Sequence, residues 1–440
     1  MSFPKYGRYK ESKVRWLGSV PDHWSVKALK HVFRVVGGST PKSEVGEYWD
    51  GEHVWVTPAD LSSLPGFDIT ESSRRITTAG LASCGTNLVP AGSIVLSTRA
   101  PIGSLAIAAT DLCTNQGCKA LVTKGRAHSR FYAYLLSIVG EELNVRGRGT
   151  TFLELSADAL GAFEIVEPTP EDQGAIVEFL DRETAKIDVL LEEQRRLIEL
   201  LREKRQAVIS HAVTKGLDAG VPLNDSGVEW LGAVPQHWNL LATKRLFRVV
   251  ADPAPDDNEY ELLSIYTAIG VRPRQDLEQR GNRATTQDGY WVVRKGDLIV
   301  NKLLAWMGAI GVSDYDGVTS PAYDILRAKV PLEPRFYDYL FRCGICFTEF
   351  RRYSRGIMDM RLRLYFDELG QLVMPFPPLD EQRRIVSHLQ SEAGKFDALS
   401  DEALRAIELL RERRAALITA AVTGKIDVRG LAPQPEAVAA

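Results

Sequence analysis

Residues 14–36 read VRWLGSVPDHWSVKALKHVFRVV and residues 228–250 read VEWLGAVPQHWNLLATKRLFRVV, with 14 of the 23 positions identical at a shift of 214. A second pair, at a shift of 209, sets LIELLREKRQAVISHAVTKGLD (197–218) against AIELLRERRAALITAAVTGKID (406–427). A repeat unit of about 200 residues is far longer than any solenoid period, so the chain is a duplicated domain pair. Between the strong matches the copies diverge. A thin skeleton persists, as in VPAGSIVLSTRAPIGSLAIA (89–108) beside VRKGDLIVNKLLAWMGAIGV (293–312), and RFYAYLL (130–136) beside RFYDYLF (335–341). Like ends around unlike middles imply one scaffold that binds two different things.

From Glu171 to Lys215 the only helix-breaking residue is Gly174, and apolar residues fall at Ile176, Leu180, Ile187, Leu190, Leu197, Leu201 and Val208. That 3/4 spacing predicts a helical seam. Copy two repeats it at Ile385, Leu389, Phe396, Leu399, Ala406, Leu410 and Leu417. Each helix would be roughly 65 Å long at 1.5 Å per residue. EPTPEDQ (167–173) and FPPLDEQ (376–382) block helix upstream and place acids in the first turn, while Gly216 and Gly424 stand where helices are commonly closed. The middles, roughly 25–165 and 240–375, are rich in short Val/Ile/Thr runs and read as mixed α/β, with strands dominating.

The composition is that of an ordinary globular chain of several domains: 440 residues, 45% hydrophobic, 25% charged, net charge −3. Any nucleic-acid contact therefore has to come from local patches. No signal-peptide pattern and no long apolar stretch is present, which points to the cytoplasm. Five cysteines, Cys84, Cys113, Cys118, Cys343 and Cys346, fit a reducing compartment, and the Cys343/Cys346 pair on an apolar segment reads as buried packing rather than zinc or redox chemistry.

The WLG.VP..W openings, the PEDQ and PLDEQ helix entries and the LLRE(K/R)R runs, in the same order twice, resemble the specificity subunit of type I restriction-modification systems. The resemblance runs from about Lys13 to Asp427. It implies an α+β architecture in which two target-recognition domains alternate with two long helices that pair as an antiparallel coiled coil, with pseudo-two-fold symmetry. The corresponding boundaries are 1–166, 167–218, 219–375 and 376–427, with 428–440 as a tail. It further implies double-stranded DNA as ligand, each domain reading half of a split site. Two modification (methyltransferase) subunits would dock on the helices, and restriction/translocase subunits would join them. S-adenosylmethionine, ATP and Mg are then expected on those partners and none on this chain. Half-sites on one DNA face lie about 34 Å apart or a multiple of that, so the helix pair would act as a ruler. Unlike middles predict an asymmetric site.

Candidate DNA-binding residues are cations and amides in exposed-looking segments. In copy one they are Lys42, the Arg74/Arg75 pair, Arg99, Asn115 and Gln116, and the RGRGTT run with Arg146, Arg148, Thr150 and Thr151. Asn115 and Gln116 suit adenine but equally suit a turn. In copy two they are Arg272, Arg274, Arg280 and Arg283, then Lys302, then Arg351, Arg352, Arg355, Arg361 and Arg363. Trp16, Trp24, Trp230 and Trp238 read as apolar anchors of a domain entrance, with Pro21 and Pro235 setting its turn and His23 and His237 too isolated for a metal site.

The sequence holds no (D/N)PP(Y/F) tetrad and no GxxxxGK[ST] loop, because PP occurs only in FPPLDE and Gly424-Lys425 is followed by Ile. Methyl transfer and DNA translocation are accordingly expected from partners. Two other classes stay open: a coiled-coil scaffold carrying two ligand-binding domains, and an enzyme, either a Ser/His hydrolase or a Cys/His site built from Cys113, Cys118 and His211.

Overall fold

The computed structural model describes residues 3–99, 101–147, 153–267, 269–274, 289–356 and 362–431. The chain forms two compact units, one of residues 1–193 with 406–440 and the other of residues 194–405. The two long helices, Pro170–Lys215 and Leu379–Val422, are continuous across the unit boundaries. The helices fall within the expected ranges 167–218 and 376–427, and each compact unit takes part of each helix.

In the first unit a five-stranded sheet runs in the order Phe33–Gly37, Cys118–Thr123, Ile94–Thr98, Ile102–Ala108, Asp68–Ile69. The first four are antiparallel neighbours and the last pairs parallel. A second sheet sets Leu112–Thr114 and Arg75–Ile76 on either side of Trp49–Val56. Apolar residues of the helix Ser129–Ser137, among them Phe131, Tyr132, Leu135 and Leu136, join Ile176 and Leu180 of the first long helix and Ile418, Ala421 and Val422 of the second in one core. The second unit repeats the plan. Its sheet order is Phe247–Val250, Tyr323–Ala328, Leu298–Asn301, Ile310–Val312, and its core joins Phe336, Tyr337, Leu340 and Phe341 to Ala212, Val213, Ile385 and Leu389.

Within each unit the long helices run antiparallel. In the first, the start of one helix shares a core with the end of the other, and Asp188 pairs with Arg414 at 2.9 Å. In the second, the end of the first helix meets the start of the second, and Arg205 bonds Asp397 at 2.6 Å. The seam itself departs from the heptad reading. Leu190, Leu197 and Leu399 are 42%, 41% and 47% exposed, whereas Leu191, Ala403 and Ile407 are buried. Ile187 and Leu201 are buried as the spacing predicts, but a straight α-helix drifts about 20° per seven residues, and the stripe moves from Leu190 to Leu191.

The repeated WLG motif sits between helix ends. In the first unit Trp24 is fully buried, its Nε1 donates to Asp172 at 2.8 Å, and His23 Nε2 lies 2.6 Å from the same carboxylate, in the first turn of a long helix. Its other side meets the end of the opposite helix, where Gly424 has φ 72° and a Cβ would collide with Pro21 and Trp24. The second unit repeats this with His237 on Glu381 at 2.7 Å and Trp238 against Gly216, φ 77°. The Pro turns form as expected, with Trp24 N donating to Pro21 O at 3.0 Å and Trp238 N to Pro235 O at 2.9 Å. The motif is therefore more than a domain entrance: it binds the start of one helix to the end of the other.

The Gln of PEDQ and PLDEQ makes a second tie. Gln173 accepts from His128 N at 2.9 Å and donates to Pro168 O at 2.9 Å, and Gln382 does the same with Glu333 N at 2.8 Å and Pro377 O at 2.8 Å. Each buried amide fixes a long helix to the helix that packs under the sheet.

The two motifs differ at one atom, since Trp238 Nε1 is buried without a hydrogen-bond partner among the described residues. Trp24→Phe should destabilise the first unit by about 1–2 kcal/mol beyond its change of shape, because a buried carboxylate loses a donor, while Trp238→Phe should not carry that penalty. Hydrogen exchange in urea, followed separately on peptides from 170–180 and 381–389, checks this; equal losses would contradict it.

Candidate nucleic-acid interface

In the first unit the structure draws Lys42, Arg74, Arg75 and Gln116, all exposed, around two indoles. Trp49 and Trp55 lie on one strand, where six residues would normally separate them by about 20 Å. Their rings are nevertheless 5.2 Å apart and T-shaped. Trp49 and His53 both pair with Ile76, so the intervening residues loop out through Asp50, which has φ 57°, and Gly51, where a Cβ would collide with the Thr77 backbone. Arg75 braces this excursion by donating to Glu52 O at 2.6 Å.

Residues 39–42 lie across the indoles. Trp55 Nε1 donates to Ser39 O at 3.0 Å and Trp49 Nε1 to Lys42 O at 3.2 Å, and the Thr40 hydroxyl donates to Gln116 Oε1. Asn115 serves the turn: its Oδ1 accepts from Gly117 N at 2.9 Å. The Arg74 guanidinium carbon lies over the Trp49 ring, 3.5 Å from its centroid, with the Trp55 centroid at 6.0 Å.

The chain entering Arg74 is held by Asp60. This carboxylate closes a capping box with Thr57 at the start of the helix Pro58–Ser62 and accepts from Ser73 N at 2.8 Å. Burial alone would raise the Asp60 carboxyl, but the bonds from Thr57 and Ser73 outweigh it and hold the group below the usual carboxylate range.

The other copy-one candidates form a separate group. Arg99, half-buried, lies 3.9 Å from Glu154. Arg146 ends the helix Gly140–Arg146, donates to Glu142 O at 3.2 Å and covers Phe163 at 4.7 Å. Arg148, Thr150 and Thr151 lie outside the described residues, as do Arg280, Arg283 and Arg361.

In the second unit Lys302, Arg351, Arg355 and Arg363 come together at the end of the strand Leu298–Asn301. Lys302 O accepts from Leu364 N at 2.9 Å, and its Nζ is 3.2 Å from Asp324. The Arg355 and Arg363 backbones exchange two 2.9 Å bonds, the Arg355 side chain pairs with Glu368, and Arg351 covers Trp306 at 5.5 Å. Arg352 is 3.4 Å from Glu229. Arg272 and Arg274 belong to a different place, the hairpin Leu263–Tyr266/Gly270–Pro273 and its exit, where Arg272 donates to Val271 O. The sequence reading missed Trp49, Trp55 and Trp306, the aromatic supports under these cations, because none of them is close in sequence to the arginine it carries.

Among the described residues no group of three His, Cys, Asp or Glu side chains is placed to hold a metal ion. Cys113 and Cys118 are buried, which pushes both thiols up to about 12, and Cys343 and Cys346 lie in the apolar core. No described helix is long and apolar enough to cross a membrane.

Comparison with known proteins agrees with this geometry. Residues 21–200 match the family model of the type I restriction modification DNA specificity domain. The chain is similar to the type I restriction enzyme MjaIX specificity subunit of Methanocaldococcus jannaschii, 36% identical over 199 residues, which cover 43% of this chain and 45% of that protein. It is also similar to the EcoBI specificity subunit of Escherichia coli, 22% identical over 347 residues, 74% of this chain and 72% of that one. The matched part thus spans about half the length of the first of these relatives. Among solved structures, the HsdS subunit from Thermoanaerobacter tengcongensis shares the fold with TM-score 0.51 and 18% identity, over 92% of this chain and 98% of that one. A chain from a study of complex assembly and conformational transition in the type I R-M system gives TM-score 0.63 at 18% identity, over the same shares of the two chains.

Asp60→Ala removes the cap and the Ser73 anchor together, and should lower the stability of the first unit by about 1–2 kcal/mol at neutral pH. A carboxylate with a depressed folded pKa stabilises above its unfolded pKa and loses that contribution as pH falls through the folded one. The gap from wild type should therefore close below about pH 3.9. Thermal unfolding across that range checks it, and a gap that does not change with pH would contradict it.

Proposed function

We propose, from the match of residues 21–200 to the type I restriction modification DNA specificity domain, that this chain is the DNA-reading subunit of a type I restriction-modification complex. The observation that carries the reading is the contrast within the duplication. The helix clamps and the sheet order recur in both units, while the cation-bearing surfaces do not: an indole-supported set at Lys42, Arg74, Arg75 and Gln116 in one, an arginine cluster at the Leu298–Asn301 strand end in the other. One scaffold with two unlike cationic surfaces suits an asymmetric, split DNA site. Cations on phosphates would supply most of the affinity, and arginine, glutamine or lysine on base edges the selectivity.

Adenine methylation and DNA cleavage are assigned to partner subunits, which would carry S-adenosylmethionine, ATP and Mg and flip the target adenine into their own pocket. The long helices supply their docking surface and the spacer between the half-sites. The scaffold and Cys/His enzyme readings find less support: Cys113 and Cys118 are buried within one unit and His211 belongs to the other.

The test is the host methylome with and without this gene, under expression of the partner subunits. A split asymmetric adenine motif that vanishes with the gene is expected; an unchanged methylome would refute the assignment. Inserting four residues into each long helix should change the spacer and leave both half-sites intact, and an unchanged spacer would remove the ruler from the proposal.

A further inference from the structure

Arg74 stands apart from the other described candidates of its unit. Arg99 and Arg146 have carboxylates within 4 Å, and Arg75 is spent on Glu52 O. Arg74 has only the indole face under it: its side chain makes no hydrogen bond or ion pair among the described residues. Of the nearby acids, Asp60 is committed to Thr57 and Ser73 and Glu52 to Thr78, and Glu71, exposed three residues before Arg74, is not among the ion pairs of the described residues. Stacking uses the π-face of a guanidinium and leaves its in-plane N–H donors free.

The support is built rather than incidental. Trp49 and Trp55 are buried beneath, each indole N–H is tied to the 39–42 segment, and the looped-out residues 50–52 are what bring the two rings together. A lysine would fill the charge at this point without the planar fork. The arrangement restrains a forked donor in advance, which lowers the entropy cost of docking it on a rigid acceptor pair. A guanine presents such a pair in the major groove, O6 and N7, with the matching separation. Lys42, exposed beside the Trp49 indole that its carbonyl accepts from, is placed to meet a flanking phosphate.

We propose that Arg74, held over the Trp49 ring beside Trp55, is a specificity-determining residue of the first recognition domain and reads a guanine through O6 and N7. This rests on the DNA-reading function above. It also adds a consequence that function does not contain: the half-site of the first domain includes a G·C pair whose recognition depends on one side chain.

The experiment uses the full complex and duplexes of its methylated site in which each guanine in turn is replaced by 7-deazaguanine, which lacks N7. Binding is measured for wild type, Arg74→Ala and Arg74→Lys. At one guanine the replacement should weaken wild type about tenfold or more, as expected for one hydrogen bond from a charged donor. It should weaken Arg74→Ala less than twofold, and Arg74→Lys should fail to restore the wild-type discrimination. The coupled guanine should lie in the half that changes when residues 25–165 are exchanged. Equal effects of 7-deazaguanine on wild type and Arg74→Ala at every position would overturn the proposal, as would a first half-site without a G·C pair. Because the readout is a difference between duplexes, it survives a general loss of affinity in the variants. A wild-type complex that methylates no split motif would instead bring down the functional assignment itself.

Discussion

A carboxylate in the first turn of each long helix, buried at Asp172 and half-buried at Glu381, is gripped by the histidine of a WLG motif, and on this contact both units depend. Asp172 takes His23 and the Trp24 indole, and Glu381 takes His237. The helix N-terminus favours the negative charge, and the motif supplies donors to it, two of them on the buried Asp172. The same tryptophans press against Gly424 and Gly216, the left-handed residues that end the opposite helices. One short motif thus sets both the antiparallel sense of the helices in its unit and the point at which the recognition sheet begins. In the first unit the grip extends to the chain ends, where Tyr9 donates to Gly424 O at 3.0 Å and Asp427 N to Pro4 O at 2.8 Å.

This division of labour explains what the duplication keeps and what it lets go. The clamps, the buried Gln173 and Gln382 and the aromatic helices beneath the sheets all serve the scaffold, and any change there exposes apolar surface or strands a buried polar group. The loops and strand ends that carry Lys42, Arg74 and Gln116 in one unit, and Lys302, Arg351 and Arg363 in the other, are tied down locally. They can vary without disturbing the clamps, which is the freedom a protein needs if its two halves are to bind different sequences.

Much of the architecture was legible in the sequence because its signals are local or repeated. The duplication, the long helices, the Pro-rich entries and the closing glycines each appear within a few residues. The heptad seam was legible only in part: a seven-residue reading puts Leu190, Leu197 and Leu399 inside, whereas helical drift exchanges them for Leu191, Ala403 and Ile407. The grouping of each recognition segment with parts of both long helices was not legible, because packing across paired helices does not follow chain order. The candidate interface was least legible. Arg74 and Lys42 stand out as cations, but the Trp49 that joins them is brought close to Trp55 only by a looped-out turn, and Asn115 proves to be a turn residue. Such contacts bridge tens of residues and leave no periodic trace.

The central claim is that each unit reads its own half of a DNA site independently. The most direct measurement is to exchange residues 25–165 for the corresponding segment of another specificity subunit, express the hybrid with its partner subunits and sequence the methylated bases. The expected result is a motif in which one half is replaced while the other half and the spacer are retained. A motif altered in both halves would contradict the account.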